Sequence, residues 1–538
     1  MWIWVGFAWF CLTALLWLGA FAATENRRIR SGYQSLIRYA PYIQFMQDKT
    51  ELNRFGIAQQ LKRRFGPVIS FGIPFNAMAL LGGGALFFSA AGFSISGPLI
   101  VWVWPLLGLC ALAVHACQAE LMSAVPTAKG AAAAAAHLTG KGDGRLAALL
   151  QLGGQWAFVA FLNIEAARWL GHLWAYWQGG SAAAASAVAF MVFLSIQTIL
   201  SWMSNSLYGN YQASAAVIQL LAGGILLLLL TLSMWPDLTY SALTRQTSAL
   251  STPVPDGGGW LLGVLLLWRM FVAGGSAEAA AEETVEPRIR LPWGQFQAAA
   301  YIYTAGYVLL SLVAMFGISR LFSGAAGPLP GAISTLWSHQ PLLAGLLNLL
   351  VVFSLFFAAL SILFASTRLS GALARESSSR VLATLGVVNS RWRSFTGTAV
   401  LAGSMSALFA VIALLLPDNW GGAALFLLVL GIILHHGAIM FPLASLLKRR
   451  KDAEQELILP LWSLGRVTKA TRWLAVVALL AMTCIAAVGS PAAAVAAVCI
   501  GAVTCIFVKR SSISAAEKPS KPPASRHELL QLERSHPQ

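Results

Sequence analysis

The chain has 538 residues, of which 58% are apolar and only 10% charged, whereas an average soluble domain carries roughly 25% charged residues. That is too little charge to cover a water-soluble protein of this size, which excludes a soluble enzyme, a disordered chain and a disulfide-built secreted scaffold. The net charge of +16 would suggest nucleic acid as a partner of a soluble chain, but here the basic residues cluster in short segments between apolar runs, so no nucleic-acid partner is expected.

A helix needs about 20 apolar residues to cross the hydrocarbon core. The first apolar run, 1–23, is rich in Trp, lacks a basic n-region and is followed by Arg27, Arg28 and Arg30. It reads as an extra N-terminal anchor helix, with a removed leader as the alternative. Segment 24–67 is basic, with Arg38, Lys49, Arg54, Lys62, Arg63 and Arg64 adding to the three arginines above. Twelve spans then follow, at 68–90, 97–123, 147–175, 184–204, 213–235, 259–281, 297–319, 342–366, 397–416, 422–447, 471–489 and 491–509. The polar tail 510–538, with Pro522 and Pro523, is expected to be disordered. The fold class is therefore an all-α polytopic membrane protein in the bilayer of the cell.

Orientation follows from Lys and Arg. With 24–67 on the cytoplasmic side, the other loops on that side and the tail hold every basic residue except four: Arg245 and Arg320 in outer loops, and Arg168 and Arg269 within spans. The positive-inside rule thus puts the basic loops and the C-terminus in the cytoplasm of a plasma-membrane protein. The six cysteines, Cys11, Cys110, Cys117, Cys484, Cys499 and Cys505, lie in apolar runs and read as small hydrophobes. His435 and His436 are neighbours that diverge by about 100° on a helix, and neither a metal-ligand spacing nor a cofactor motif is present.

The spans divide into two sets of five, 68–235 and 259–447, with the last two helices at 471–509. Five is odd, so the second set is inverted relative to the first, as in transporters built from inverted repeats with discontinuous helices. The first helix of each set carries a breaker. In the first it is Gly72-Ile73-Pro74-Phe75-Asn76, where proline removes an amide donor and Asn76 offers hydrogen bonds to the freed backbone. In the second it is Ala273-Gly274-Gly275-Ser276, followed by Glu278. Unwound backbone in lipid must line a cavity or be buried in protein. Half-helix N-termini suit a carboxylate and C-termini an ammonium or a cation, so one site between them suits a zwitterion, and also a simple amine or acid. The candidate substrate-binding residues are Phe75, Asn76, Ala77 and Met78 in the first break and Ala273, Gly274, Gly275, Ser276 and Glu278 in the second.

Several segments then resemble one family, the amino acid–polyamine–organocation (APC) permeases, closest to the branch of GABA, choline and related amino-acid permeases. Leu52 through Arg63, with Asn53-Arg54-Phe55-Gly56 and Gln59-Gln60-Leu61, is similar to the LxxxGYxQxLxR run before the first family helix. Ala119 through Thr127 resembles AELASAYPT, and Phe271 through Glu282-Glu283-Thr284 resembles FTGYDASAHMSEET. Ala365 to Arg368 with Ala374-Arg375-Glu376 resembles the loop after helix eight, and Pro460 to Arg466 with Trp473 the approach to helix eleven. The resemblance implies a LeuT-like 5+5 inverted repeat with discontinuous helices 1 and 6, the site formed by those two and supported by helices three, eight and ten. The family's Gly-aromatic-Asp is replaced by Ala273-Gly274-Gly275, and the acid stands at Glu278 instead.

Ionisable residues inside spans are functional candidates by default. Glu278 is expected to bind a substrate ammonium or a coupling proton, or else to bond exposed amides. Glu120, Glu165 and Arg168 are coupling candidates, with Glu165 and Arg168 spaced to pair on one helix face. Arg269 would attract an anion in an outer vestibule or snorkel. Sodium coupling would require hydroxyls on helix eight, with Ser354, Ser361 and Ser366 as candidates. The sequence thus predicts a secondary permease, not an enzyme, that moves an amino acid or small organic amine by alternating access with a proton. The alternative is a nutrient sensor or receptor on a transporter fold.

Overall fold

The computed structural model describes residues 41–203, 205–234, 258–320, 340–377, 379–416, 422–448 and 460–516, with a few isolated positions beyond them. The predicted anchor 1–23, the start of segment 24–67 and most of the tail lie outside the described residues. The described chain is helical, and its one β-type contact is a single bridge between Phe65 and Thr284. Eleven of the described helices are long and apolar enough to cross a membrane, and the protein is an all-helical polytopic membrane protein.

In chain order, α1 (Pro41–Arg54) precedes the first span, which is α2 (Pro67–Met78) and the part of α3 (Leu80–Pro98) up to Gly92, where φ 67° and ψ 168° interrupt the helix before the second span opens at Ile95. A π turn, Leu99–Val103, leads into α4 (Trp104–Ala124). The short α5 (Ala131–Thr139) is followed by α6 (Lys141–Gln178), α7 (Ala182–Trp202) and α8 (Asn205–Met234). The second set opens with α9 (Gly258–Arg269), the single turn α10 (Ser276–Ala279) and α11 (Pro287–Arg320). It continues with α12 (Pro341–Arg375), the short α13 (Arg380–Leu385), α14 (Thr396–Leu414) and α15 (Gly422–Lys448). The last two are α16 (Thr468–Gly489) and α17 (Pro491–Ala516). Pro67, Pro287, Pro341 and Pro491 each open a helix, where a missing amide proton costs nothing and the fixed φ suits the first turn.

The core forms around α6, which packs against α12 and α15 and along α7. In its most apolar window 89% of residues are buried, against 17% in α7. The outer helices turn Val188, Met191, Ile199, Leu221 and Leu232 outward. In a chain of this composition such an apolar rim faces lipid, because no hydrogen bond is forfeited there. α2 sits inside, against α8, α11 and α12.

Several expected boundaries differ. The first helix does not break at Gly72–Asn76: α2 continues through Pro74 to Met78, and the chain turns at Ala79, which takes left-handed φ 55° and ψ 57°. The Ser70 carbonyl, which Pro74 cannot serve, lies against a neighbouring helix. A Cβ on Gly294 of α11 would lie 2.3 Å from the Ser70 oxygen, so only glycine allows this approach. The span expected at 259–281 is helical only to Arg269, then unwinds, with Gly274 and Gly275 at φ 62° and 75°. Helix eight continues past 366 to Arg375, so Arg368 lies in a helix rather than a loop. The last helix extends to Ala516, beyond the expected 509.

The second break should be intolerant of side chains at one glycine more than the other. A Cβ at Gly275 would lie 2.1 Å from Gln151 Nε2, whereas at Gly274 its nearest neighbour is Ile362 at 3.1 Å. Both sit at positive φ, which costs a non-glycine residue about 1–2 kcal/mol. Gly275→Ala is therefore expected to lower the thermal midpoint of the detergent-solubilised protein more than Gly274→Ala. Equal effects would mean that Gln151 moves aside freely.

Candidate functional site

The two breaks meet in the interior, and side chains from other helices take up their backbone groups. In a dry interior each unpaired carbonyl or amide costs kilocalories, so this accounting decides what the site can still bind. After α9, the Phe271 carbonyl accepts from His115 Nε2 at 2.7 Å and the Val272 carbonyl from Arg269 Nη1 at 3.0 Å. The Ala273 carbonyl accepts from Ser276 N at 3.1 Å, and the Gly274 carbonyl from Gln155 Nε2 at 2.8 Å. At the end of α2 the Asn76 carbonyl accepts from Ala79 N, and the Ala77 carbonyl from Arg269 Nη1 at 3.2 Å. Arg269 is thus a link between the carbonyl ends of both interrupted helices.

His115 is held from behind by Gln295, whose Nε2 donates to His115 Nδ1 at 2.9 Å and to Gln118 Oε1 at 2.7 Å. That arrangement selects the neutral ring with its proton on Nε2, facing the Phe271 carbonyl.

A second network ties the first break to α8 and α12. Asn76 Nδ2 donates to Gln212 Oε1 at 2.6 Å, and Asn76 Oδ1 accepts from Gln219 Nε2 at 2.8 Å. Ser354 Oγ donates to Gln219 Oε1 at 2.6 Å and accepts the Gly82 amide, in the first turn of α3, at 3.1 Å. Ser361 Oγ donates to Gln212 Oε1 at 3.0 Å. Asn76 was expected to serve freed backbone at its own break; its side chain instead reaches two glutamines on α8.

At the end of the bundle that carries the basic loops, segment 59–65 runs beside 281–285. Arg64 N and Phe65 N both donate to the Glu283 carbonyl at 2.9 Å, and Val285 N returns to Phe65 O at 3.1 Å. Arg63 donates to Gln59 Oε1 at 2.7 Å and to the Thr284 carbonyl at 2.7 Å, while Gln59 Nε2 reaches the Glu282 carbonyl at 3.0 Å. Glu283 pairs with Arg368 at 2.7 Å, both wholly buried, and Glu282 with Arg375 at 2.7 Å. Glu282, Glu283 and Arg368 therefore form a latch between the end of the second break and α12. Asp48 of α1 accepts the Glu286 amide at 3.0 Å. Burial pushes its carboxyl up from 3.8 to about 6, against the pull of Arg63.

Neither a family model nor a curated protein matches the sequence. Among solved structures the chain is similar to the crystal structure of an Eremococcus coleocola manganese transporter in complex with an aromatic bis-isothiourea substituted compound. The identity is 14% and the TM-score 0.49, and the match covers 84% of this chain and 98% of that one.

The sequence-derived candidates fall into two groups. Arg269 links Ala77 to Val272, the residue before Ala273, Gln155 binds the Gly274 carbonyl, and Met78 is buried beside Ala77 in the chain. Phe75 packs elsewhere, stacked on Phe71 and edge-on to Tyr301 of α11. Ser276 is buried, and among the described residues its hydroxyl has no partner. Glu278 accepts the Ala131 amide at 3.0 Å, at the start of α5, and a hydrogen bond from Gln151. A Cβ on Gly130 would lie 1.8 Å from its Oε2. Among the described residues no basic side chain pairs with Glu278. Glu120 instead pairs with Arg472 of α16 at 3.1 Å, and Glu165 with Arg168 at 3.2 Å near the surface. Arg269 neither snorkels nor faces an outer vestibule: it is 3% exposed.

The residues missed in the sequence are mostly amides. Gln151 and Gln155 are spaced i, i+4, and Gln212 and Gln219 i, i+7, each pair on one face of an apolar helix. Polar side chains repeated on one face of a span were the signal available.

Removing one partner of the Arg368–Glu283 pair leaves a buried charge uncompensated, which costs about 3–5 kcal/mol. Glu283→Ala is expected to destabilise the protein on that scale, and Glu165→Ala, at a half-exposed pair, by about 1 kcal/mol or less. Comparing their thermal midpoints checks the contrast. Asp48 gives a pH signature: its folded pKa lies above its unfolded value, so its contribution is full below pH 4 and is lost as pH rises through about 6. Wild type and Asp48→Asn should match in stability near pH 4, and the variant should be the more stable by pH 7. A constant offset across that range would contradict the burial of this carboxyl.

Proposed function

We propose that the protein is a secondary active transporter of the APC type, moving an amino acid or small organic amine across the cell membrane by alternating access, with a proton as coupling ion. The observation that carries this reading is the meeting of two interrupted helices, α2–α3 and α9–α10, inside the bundle. A packed membrane protein with no cargo would have little use for two sets of unwound backbone that need buried glutamines, a histidine and an arginine to satisfy them. The 5+5 inverted repeat fits the matched position of the breaks, each in the first helix of its set. The basic loops on the side of α1 support a latch at the cytoplasmic face, which would open for release.

A proton is favoured over sodium by what the oxygen ligands already do. Ser354 and Ser361 are engaged by Gln219 and Gln212, and the Ala77 and Val272 carbonyls by Arg269. A hard cation needs several free oxygens at once. Glu278, buried and paired only with hydrogen-bond donors, is the group that would take the proton.

The test is uptake into proteoliposomes of labelled amino acids, γ-aminobutyrate, choline and polyamines, with and without an inward proton gradient. Saturable uptake of one compound, raised by the gradient and abolished in Gly275→Leu, is the expected result. Glu278→Gln keeps an acceptor for the Ala131 amide, so it should still exchange substrate while losing gradient-driven accumulation. Binding without movement, in a protein shown to be inserted and folded, would favour a sensor instead.

A further inference from the structure

Arg269 ends α9 and is 3% exposed, yet among the described residues no carboxylate pairs with it. Its Nη1 is fully used by the Ala77 and Val272 carbonyls, and its carbon lies 4.8 Å above the Phe158 ring. Among the described residues its Nε and Nη2 are buried without a partner. A guanidinium is planar, and Nε–H with the proton of the Nη trans to Cδ forms one edge of two parallel donors. That edge matches the two oxygens of a carboxylate. The anchored Nη1 fixes the plane and leaves this fork as the unused side.

Neutral dipoles alone compensate a buried cation poorly, and carbonyls at about 3 Å offer less than an anion does. One other feature of the surroundings has the same sign. The first turn of α3, with its excess of amide protons, lies against Met270, since a Cβ on Gly83 would meet Met270 Cγ at 2.5 Å. His435 stands edge-on to the same Phe158, with its Nδ1 unpaired. Trp268, Phe271 and Val272, neighbours of Arg269 in the chain, line a cavity of about 20 Å³ that His115 and His435 share, with Arg269 itself outside the lining.

We infer that Arg269 is a carboxylate-binding residue: its Nε/Nη2 edge grips the carboxylate of the cargo, while its Nη1 holds the two interrupted helices together. The inference rests on the transporter reading and narrows its substrate class from amino acid or amine to carboxylate-bearing compounds. Nε and Nη2 are enclosed by protein in this structure, so the grip belongs to a state in which the two broken helices have parted further. Release of the carboxylate then leaves the guanidinium with its two carbonyls, and the helices close on it again.

The test uses the purified full chain in detergent and matched compounds: γ-aminobutyrate with butylamine and butyrate, and arginine with agmatine. Thermal shift and calorimetry read binding. Carboxylates should bind, and the amines that lack one should not. Loss of charge-assisted hydrogen bonds weakens binding about 10- to 100-fold, so Arg269→Gln should weaken carboxylate binding to that extent, and Arg269→Lys less. The wild-type comparison decides the matter even if the variants do not fold. Butylamine or agmatine binding as tightly as its carboxylate partner would overturn the role of Arg269 and leave transport standing. So would gradient-driven uptake of a compound without a carboxylate, together with no binding by any carboxylate. Neither binding nor uptake of any compound would remove both readings.

Discussion

Every structural decision in the bundle follows from one constraint: a peptide group removed from water must find a partner. An intact helix meets it internally, and a broken one cannot. At the second break four successive carbonyls, from Phe271 to Gly274, are served by an imidazole, a guanidinium, a local amide and a glutamine. At the first, a hydroxyl and a guanidinium take the amide and the carbonyl on either side of Ala79. The buried polar residues of α4, α6, α8 and α12 are therefore less a scattered set of exceptions than the counterparts of two interruptions.

Charge is used differently at the two ends of this arrangement. Around the breaks the partners are mostly neutral amides, which satisfy backbone without the desolvation cost of an ion. At the end with the basic loops, the partners are ions: Arg63, Glu282, Glu283, Arg368 and Arg375 join segment 59–65, the end of the second break and α12. Ion pairs of this kind are costly to break singly but specific in geometry. They suit a contact that must form in one register or not at all. Arg269 and Glu278 stand apart as ionisable groups tied into the neutral group.

Much of this architecture was legible in the sequence. Runs of apolar residues and the placement of Lys and Arg are large, additive signals, and most spans fall within a few residues of their expected limits. The second break was visible because Gly274 and Gly275 are direct evidence of backbone freedom, and both adopt positive φ. The first was misplaced by three residues. Pro74 carries a strong local signal, yet the helix runs on through it to Met78. Ala79, where the chain does turn, has no distinguishing chemistry. Arg269 was seen, but its role was not, because that depends on which carbonyls the fold brings within 3.2 Å. Likewise the Asn76 side chain was expected to serve freed backbone at its own break and instead binds Gln212 and Gln219, 136 and 143 positions on.

The two interruptions also differ in length, and so in mechanical character. Between Met78 and Leu80 stands a single residue, so α2 and α3 can change their mutual angle only through the two torsions of Ala79 and its immediate neighbours. Between Arg269 and Ser276 lie six residues, a contour of about 20 Å when extended. The first is a stiff pivot that turns one half-helix about the other. The second is a slack tether that lets its halves separate, shift and rotate independently. A motion that opens one end of the bundle and then the other would draw its direction from the pivot and its reach from the tether.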